Sequence, residues 1–103
     1  IDRVIDFLLS IRLKPLIQFS FMPKALASLP DKNVYSSPFN ISPPKDYKKW
    51  KQLIFCLTTH LIERYGLKTV RSWLFCVWNE PDTSENIFGF KNDDDFYRLY
   101  QET

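Results

Sequence analysis

With 103 residues and a formal net charge of +2, the chain is one domain or a piece of a larger one. A composition of 45% hydrophobic and 17% aromatic residues places it among globular chains, and two glycines exclude a flexible linker or a Gly-rich phosphate loop. No stretch approaches the roughly 20 apolar residues that a membrane helix needs, so no membrane partner is expected.

Cys56 and Cys76 make neither a metal-ligand spacing nor a disulfide framework. Both are expected as free thiols, which points to a reducing, cytoplasmic location with no metal or cofactor. Lysines and arginines concentrate in residues 44–71 and acids in residues 82–103. No aromatic platforms separate the lysines, so the basic stretch reads as a solvated face rather than a nucleic-acid surface. The chain starts at Ile1, without an initiator Met or a signal-peptide pattern, and stops abruptly at Thr103. An excised segment of a longer protein is the expectation.

Residues 2–12 place Val4, Ile5, Leu8, Leu9 and Ile11 at helical spacing, predicting an amphipathic helix. Pro15 ends any continuation. The apolar run at residues 16–21 predicts a strand covered on both faces, as in a parallel sheet. Residues 22–44 hold Pro23, Pro30, Pro38, Pro43 and Pro44 and predict a long irregular segment, with at most one helical turn at residues 24–29. Such segments are rare unless they serve function or carry their own packing.

A second helix is predicted after Ser42 as cap, with Pro43 and Pro44 in the first turn and Asp46 complementing the dipole. Its apolar stripe is Trp50, Leu53, Ile54, Leu57 and Leu61, and Gly66 ends it. Residues 72–78 predict a second strand, which stops at Asn79-Glu80-Pro81. Asn92 or Asp93 caps a last helix through Phe96, Leu99 and Tyr100. Strands alternating with helices predict an α/β fold with parallel βαβ packing and a right-handed crossover.

The chemistry concentrates in Trp78-Asn79-Glu80-Pro81. In a barrel of parallel strands, functional groups sit at the carboxyl ends of the strands, where Glu80 is placed. A carboxyl group among apolar neighbours has its charged form disfavoured, which suits a general acid that protonates a leaving sugar oxygen. Asn79 is placed to hydrogen-bond a sugar hydroxyl. Trp78 fits a sugar-stacking platform and a core residue equally well. Pro81 turns the chain away from the strand. A glutamate at a strand end is, taken alone, more often structural than catalytic, and it is the full four-residue string that lifts Glu80 above that level.

Four stretches carry a resemblance: FMPKALAS (residues 21–28), NISPPKDYKKW (40–50), HLIERYGL (60–67) and FCVWNEPD (75–82). In order, and over nearly the whole chain, they resemble segments of family 39 glycoside hydrolases, the β-xylosidase and α-L-iduronidase group. The resemblance implies that residues 1–103 are a partial (β/α)8 barrel, a TIM-barrel fragment of about two parallel βα units, with flanking helices, at strands three and four of eight. Glu80 then matches the acid/base, with Asn79 and Trp78 binding substrate. A retaining glycosidase also needs a nucleophile carboxylate about 5–5.5 Å from the acid/base. By resemblance that residue lies near the seventh strand, beyond Thr103, so this segment alone is expected to be inactive.

The chain also departs from the pattern. The resembling enzymes commonly carry Glu where this chain has Gln18 and Cys76, and residues 33–39 lack a Trp or His suited to a sugar pocket. With the wording SFMP and FCVWNEPDTS, these changes resemble the family-39-like module of AraC-type transcription regulators. The preferred reading is therefore the sugar-recognising effector module of such a regulator, with an active β-xylosidase as the alternative. The implied partner is a xylose- or uronic-acid-containing carbohydrate, with DNA bound only through a domain not present in this sequence. Exposed strand edges and apolar flanks predict that the isolated segment self-associates.

Other candidates are bland. His60 flanks the helical stripe and reads as a surface or interface histidine, and Cys56 lies about 120° from the centre of that stripe at 100° per residue, away from the core and from Cys76. Trp50 and Trp73 read as core. Ser36, Ser37 and Ser84 lack the partners of a nucleophilic triad.

Overall fold

The computed structural model describes residues 1–103. In chain order it has α1 (Asp2–Ser10), β1 (Leu16–Phe19), α2 (Tyr47–Tyr65), α3 (Leu67–Val70), β2 (Leu74–Val77) and α4 (Asp93–Glu102). The strands pair in parallel, Leu16 with Leu74 through Phe19 with Val77, as the helix–strand alternation predicts. Both are shorter than the apolar runs suggested: β1 stops where the chain leaves the extended conformation after Phe19, and β2 begins only after the turn at residues 71–73 and stops before Trp78. The short helix α3 was not foreseen. No helix is long and apolar enough to cross a membrane.

Paired residues of a parallel ladder share a face, and successive residues alternate. Ile17, Phe19 and Val77 lie on the face that packs against the core with α2. Leu16, Gln18, Leu74 and Cys76 lie on the other, which no element of the chain covers; Leu16 is 59% and Leu74 65% exposed. The expectation of burial on both faces therefore fails within residues 1–103. Only one layer of helices is present to cover two strands.

The core has two parts. One cluster gathers Phe19, Met22, Ala27, Val34, Ile41, Trp50, Ile54, Trp78 and Leu99 toward the carboxyl ends of the strands. The other joins Ile5, Leu61, Val70 and Trp73 beneath α1. Ile17 and Leu57 pack against both and make them continuous. Trp50 and Trp73 are buried, as their sequence context suggested.

The start of α2 corrects one expectation. Its cap is Asp46, in an extended conformation, accepting from the backbone N–H groups of Lys48 at 2.9 Å and Lys49 at 3.3 Å. Pro43 and Pro44 keep the chain extended ahead of it. Ser42 is instead fully buried, accepting from Leu29 N–H at 3.1 Å and bonding Asn40 Oδ1 at 2.7 Å. Asn40 Nδ2 donates to Leu29 O at 2.7 Å, so a buried polar knot closes the irregular segment. Bridges from Met22 to Asn40 and from Ala27 to Pro44 fold that segment back on itself, and Met22, Ala27, Val34 and Ile41 point into the core. The long loop thus carries its own packing.

Gly66 ends α2 with φ of 81°, a conformation that side chains with a Cβ rarely adopt. Asn92 caps α4 by accepting from Asp95 N–H at 3.0 Å. Helix α4 is tied to α2 by Trp50 Nε1 donating to Thr103 Oγ1 at 2.9 Å and by Arg98 lying 4.2 Å from the Tyr47 ring centre. Burial raises the pKa of the Tyr47 phenol above its ordinary value, while the Arg98 charge acts to lower it.

Candidate active site

The site begins where β2 stops. Trp78 N–H donates to Phe19 O at 3.2 Å, which carries the ladder one step past Val77. The backbone then turns left-handed, with φ of 70° at Trp78 and 44° at Glu80. Each such position in a residue with a Cβ costs on the order of 1–3 kcal/mol, so neighbouring structure must hold it.

That structure is visible on both sides. The Trp78 carbonyl accepts from Gln18 Nε2 at 2.9 Å and from Cys76 Sγ at 3.4 Å. The Glu80 carbonyl accepts from Thr83 Oγ1 at 2.9 Å and from Thr83 N–H at 3.2 Å. Further along the loop, Gly89 is packed so closely that an added Cβ would stand 1.7 Å from Thr83 O. The segment carrying Glu80 is thus clamped at Trp78, at Thr83 and at Gly89.

The left-handed turn also decides where Trp78 goes. Extended alternation would put its ring on the open face with Gln18 and Cys76. Instead the indole is 0% exposed, with Phe90 at 5.1 Å and Phe21 edge-on at 6.2 Å between ring centres. Its Nε1 donates to Phe88 O at 2.6 Å. Of the two sequence readings for Trp78, the core residue describes its position here. The apolar surroundings expected for Glu80 follow the ring inward, and Glu80 itself is exposed. Its hydrogen bonds run through its carbonyl oxygen, so the carboxylate is left without a protein partner.

Asn79 is half-buried, and its Oδ1 accepts from Gln18 Nε2 at 3.0 Å. Asp82 and Glu85 are exposed loop residues. An apolar hollow of about 420 Å³ lined by Phe19, Ile54, Phe75, Val77 and Tyr100 lies elsewhere, against α2 and α4, and includes none of Trp78, Asn79 and Glu80. No group of three or more His, Cys, Asp and Glu side chains is arranged to hold a metal ion. Cys56 and Cys76 are both exposed and unpaired. His60 lies on the outer surface, 2.9 Å from Asp2, far along the chain from the strand end.

Residues 1–103 match the family described as Glycosyl hydrolases family 39 along their whole length. The chain belongs to glycosyl hydrolase family 39. Among its relatives, a β-xylosidase of Geobacillus stearothermophilus is 48% identical over 103 residues, which is 100% of this chain and 20% of that protein. A β-xylosidase of Caldicellulosiruptor saccharolyticus is 50% identical over 101 residues, 98% of this chain and 20% of its own length. The crystal structure of a monomeric β-xylosidase from Caulobacter crescentus superposes with a TM-score of 0.88 at 36% identity, covering 99% of this chain and 20% of that one. This family 39 chain therefore spans about a fifth of the length of these relatives. It is an α/β segment with two parallel strands matching part of the family's enzymes, and it is β-xylosidase-like over that part. Nothing in these comparisons shows the regulator module favoured by the sequence departures; they back the β-xylosidase alternative better.

Proposed function

We propose that this segment supplies the third and fourth βα units of a (β/α)8 barrel in a retaining β-xylosidase-like glycosidase, with Glu80 as general acid/base. One observation carries the reading: a carboxylate without a protein partner, on a backbone clamped at both flanks, just past the carboxyl end of a parallel strand. That is where barrel enzymes place reacting groups. Glu80 first protonates the leaving-group oxygen, then takes a proton from the water that releases the sugar. Asn79 holds a hydroxyl of the sugar. Trp78, buried beneath, supports the turn that presents both. The nucleophile comes from elsewhere in the barrel, so residues 1–103 alone do not turn over glycosides.

The reading as a sugar-sensing module of an AraC-type regulator rests on the uncharged pair Gln18 and Cys76, which takes charge out of the open face. It is the weaker reading, because the relatives that match nearly the whole chain carry the name β-xylosidase. A helix-turn-helix elsewhere in the full-length sequence would reverse that order.

The test uses the full-length protein. Glu80→Gln should lower turnover of xylobiose, whose leaving group needs protonation, by about 10²–10⁴-fold. First-step turnover of 4-nitrophenyl β-xyloside, whose leaving group needs little help, should fall far less. Equal losses on both substrates, or none, would end the acid/base assignment. The isolated segment, with Leu16 and Leu74 bare on its open face, should self-associate, seen by light scattering as species larger than 12.3 kDa. A monodisperse monomer would contradict that.

A further inference from the structure

Gln18 joins two parts of the site that the sequence reading kept separate. Its Nε2 lies 2.9 Å from Trp78 O and 3.0 Å from Asn79 Oδ1. The first contact settles the second by chemistry alone. A backbone carbonyl oxygen can only accept, so the Gln18 atom facing it must be the donating NH₂. The Asn79 atom facing that same NH₂ must then be its acceptor oxygen. The nitrogen of Asn79 is thereby directed away from Gln18, and no group of the chain accepts from it.

We propose that Gln18 is a positioning residue that fixes the polarity of Asn79, so that the strand end offers a ligand an N–H donor rather than a carbonyl acceptor. The ligand atom it takes is an acceptor, such as a hydroxyl oxygen of a sugar. A carboxylate at position 18 imposes the opposite arrangement when ionised. It has no proton to give to Trp78 O or Asn79 Oδ1, so the Asn79 amide turns over to donate inward and presents its oxygen outward. Trp78 O has no such freedom and loses a donor. The identity of residue 18 thus sets what residue 79 can recognise, without touching the ligand. This proposal rests on the reading of Asn79 as a sugar-binding residue, but its chemistry can be followed without any sugar.

The experiment compares the full-length protein with Gln18→Glu and Gln18→Met. The first readout is the Asn79 side-chain NH₂ resonance by NMR, with no ligand added. In Gln18→Glu it should show a pH-dependent change, through the titration of the new carboxyl, that is absent from the unaltered protein and from Gln18→Met. A pH response in Gln18→Glu no different from that of the unaltered protein would overturn the proposal, whatever the protein's activity. The second readout is kcat and KM on 4-nitrophenyl β-xyloside. Gln18→Met should lose about tenfold in kcat/KM, the size expected for one misplaced hydrogen bond. Gln18→Glu, which lacks the second Glu that the resembling enzymes carry at the paired position 76, should recover part of that loss at low pH, where its protonated carboxyl donates as the amide did. Equal, pH-independent losses in both variants would mean that Gln18 only fills space. A full-length protein inactive on the xyloside would sink the proposed function but leave the NMR result to decide the role of Gln18.

Discussion

The two ends of the paired strands are built on different terms. At the amino end, α1 lies over Leu61, Val70 and Trp73, and its rim is closed by polar side-chain pairs. Arg64 reaches Asp6 at 2.7 Å, His60 reaches Asp2 at 2.9 Å, and Tyr65 donates to Asp6 at 2.8 Å. Asp2, Asp6 and Arg64 are all paired there. At the carboxyl end the backbone turns left-handed at Trp78 and Glu80, the connecting loops are long, and Glu80 has no partner for its carboxylate. One end spends its side chains on holding the fold, and the other holds its backbone so that a side chain stays free. This division is the one expected of a barrel, in which conservation of stability and of chemistry separate to opposite faces.

Substitutions at the two ends should therefore fail in different measurements. Leu61 is 0% exposed at the closed end. Leu61→Ala should cost about 2–5 kcal/mol in urea unfolding of the full-length protein, with KM for the xyloside unchanged once folded. A cost under about 0.5 kcal/mol, or a selective loss of substrate binding, would erase the distinction between the ends. A smaller effect separates them by pH. Hydrogen bonds from Arg64 and then Tyr65 hold the Asp6 carboxyl below its ordinary value of 3.8, and His60 chiefly does the same for Asp2. A depressed folded-state pKa adds stability above the unfolded value and loses it as pH falls through the folded one. The unaltered protein should thus lose more melting temperature than Asp6→Asn between pH 5 and about pH 2–3, by a small margin, since these pairs are exposed. Identical acid sensitivity of the two proteins would show that the charged rim contributes nothing.

Much of this was legible in the sequence because it depends on local pattern. Short apolar runs and helical stripes located both strands and the main helices, and the order of those elements gave the parallel pairing. Gly66 and Asn92 announced helix ends through the only chemistry those positions allow. Ser42 misled because a serine ahead of two prolines looks like a cap, while its actual partners, Asn40 and Leu29, are brought in by a loop closure that no local pattern encodes. Trp78 stayed ambiguous for a similar reason. Its side depends on a left-handed backbone at a residue where that conformation is rare, and one group that holds it there, Gln18, lies 60 residues away. The motif located Glu80 but could not say that the carboxylate would stand free while the indole turned inward.

The most direct test is the structure of the full-length protein at the level of side chains around Glu80. The account predicts a second carboxylate, from outside residues 1–103, about 5–5.5 Å from that of Glu80, facing it across the open side of Gln18 and Cys76. A closed barrel in which no other carboxylate approaches Glu80 within about 10 Å, beyond either spacing used by glycosidases, would contradict it.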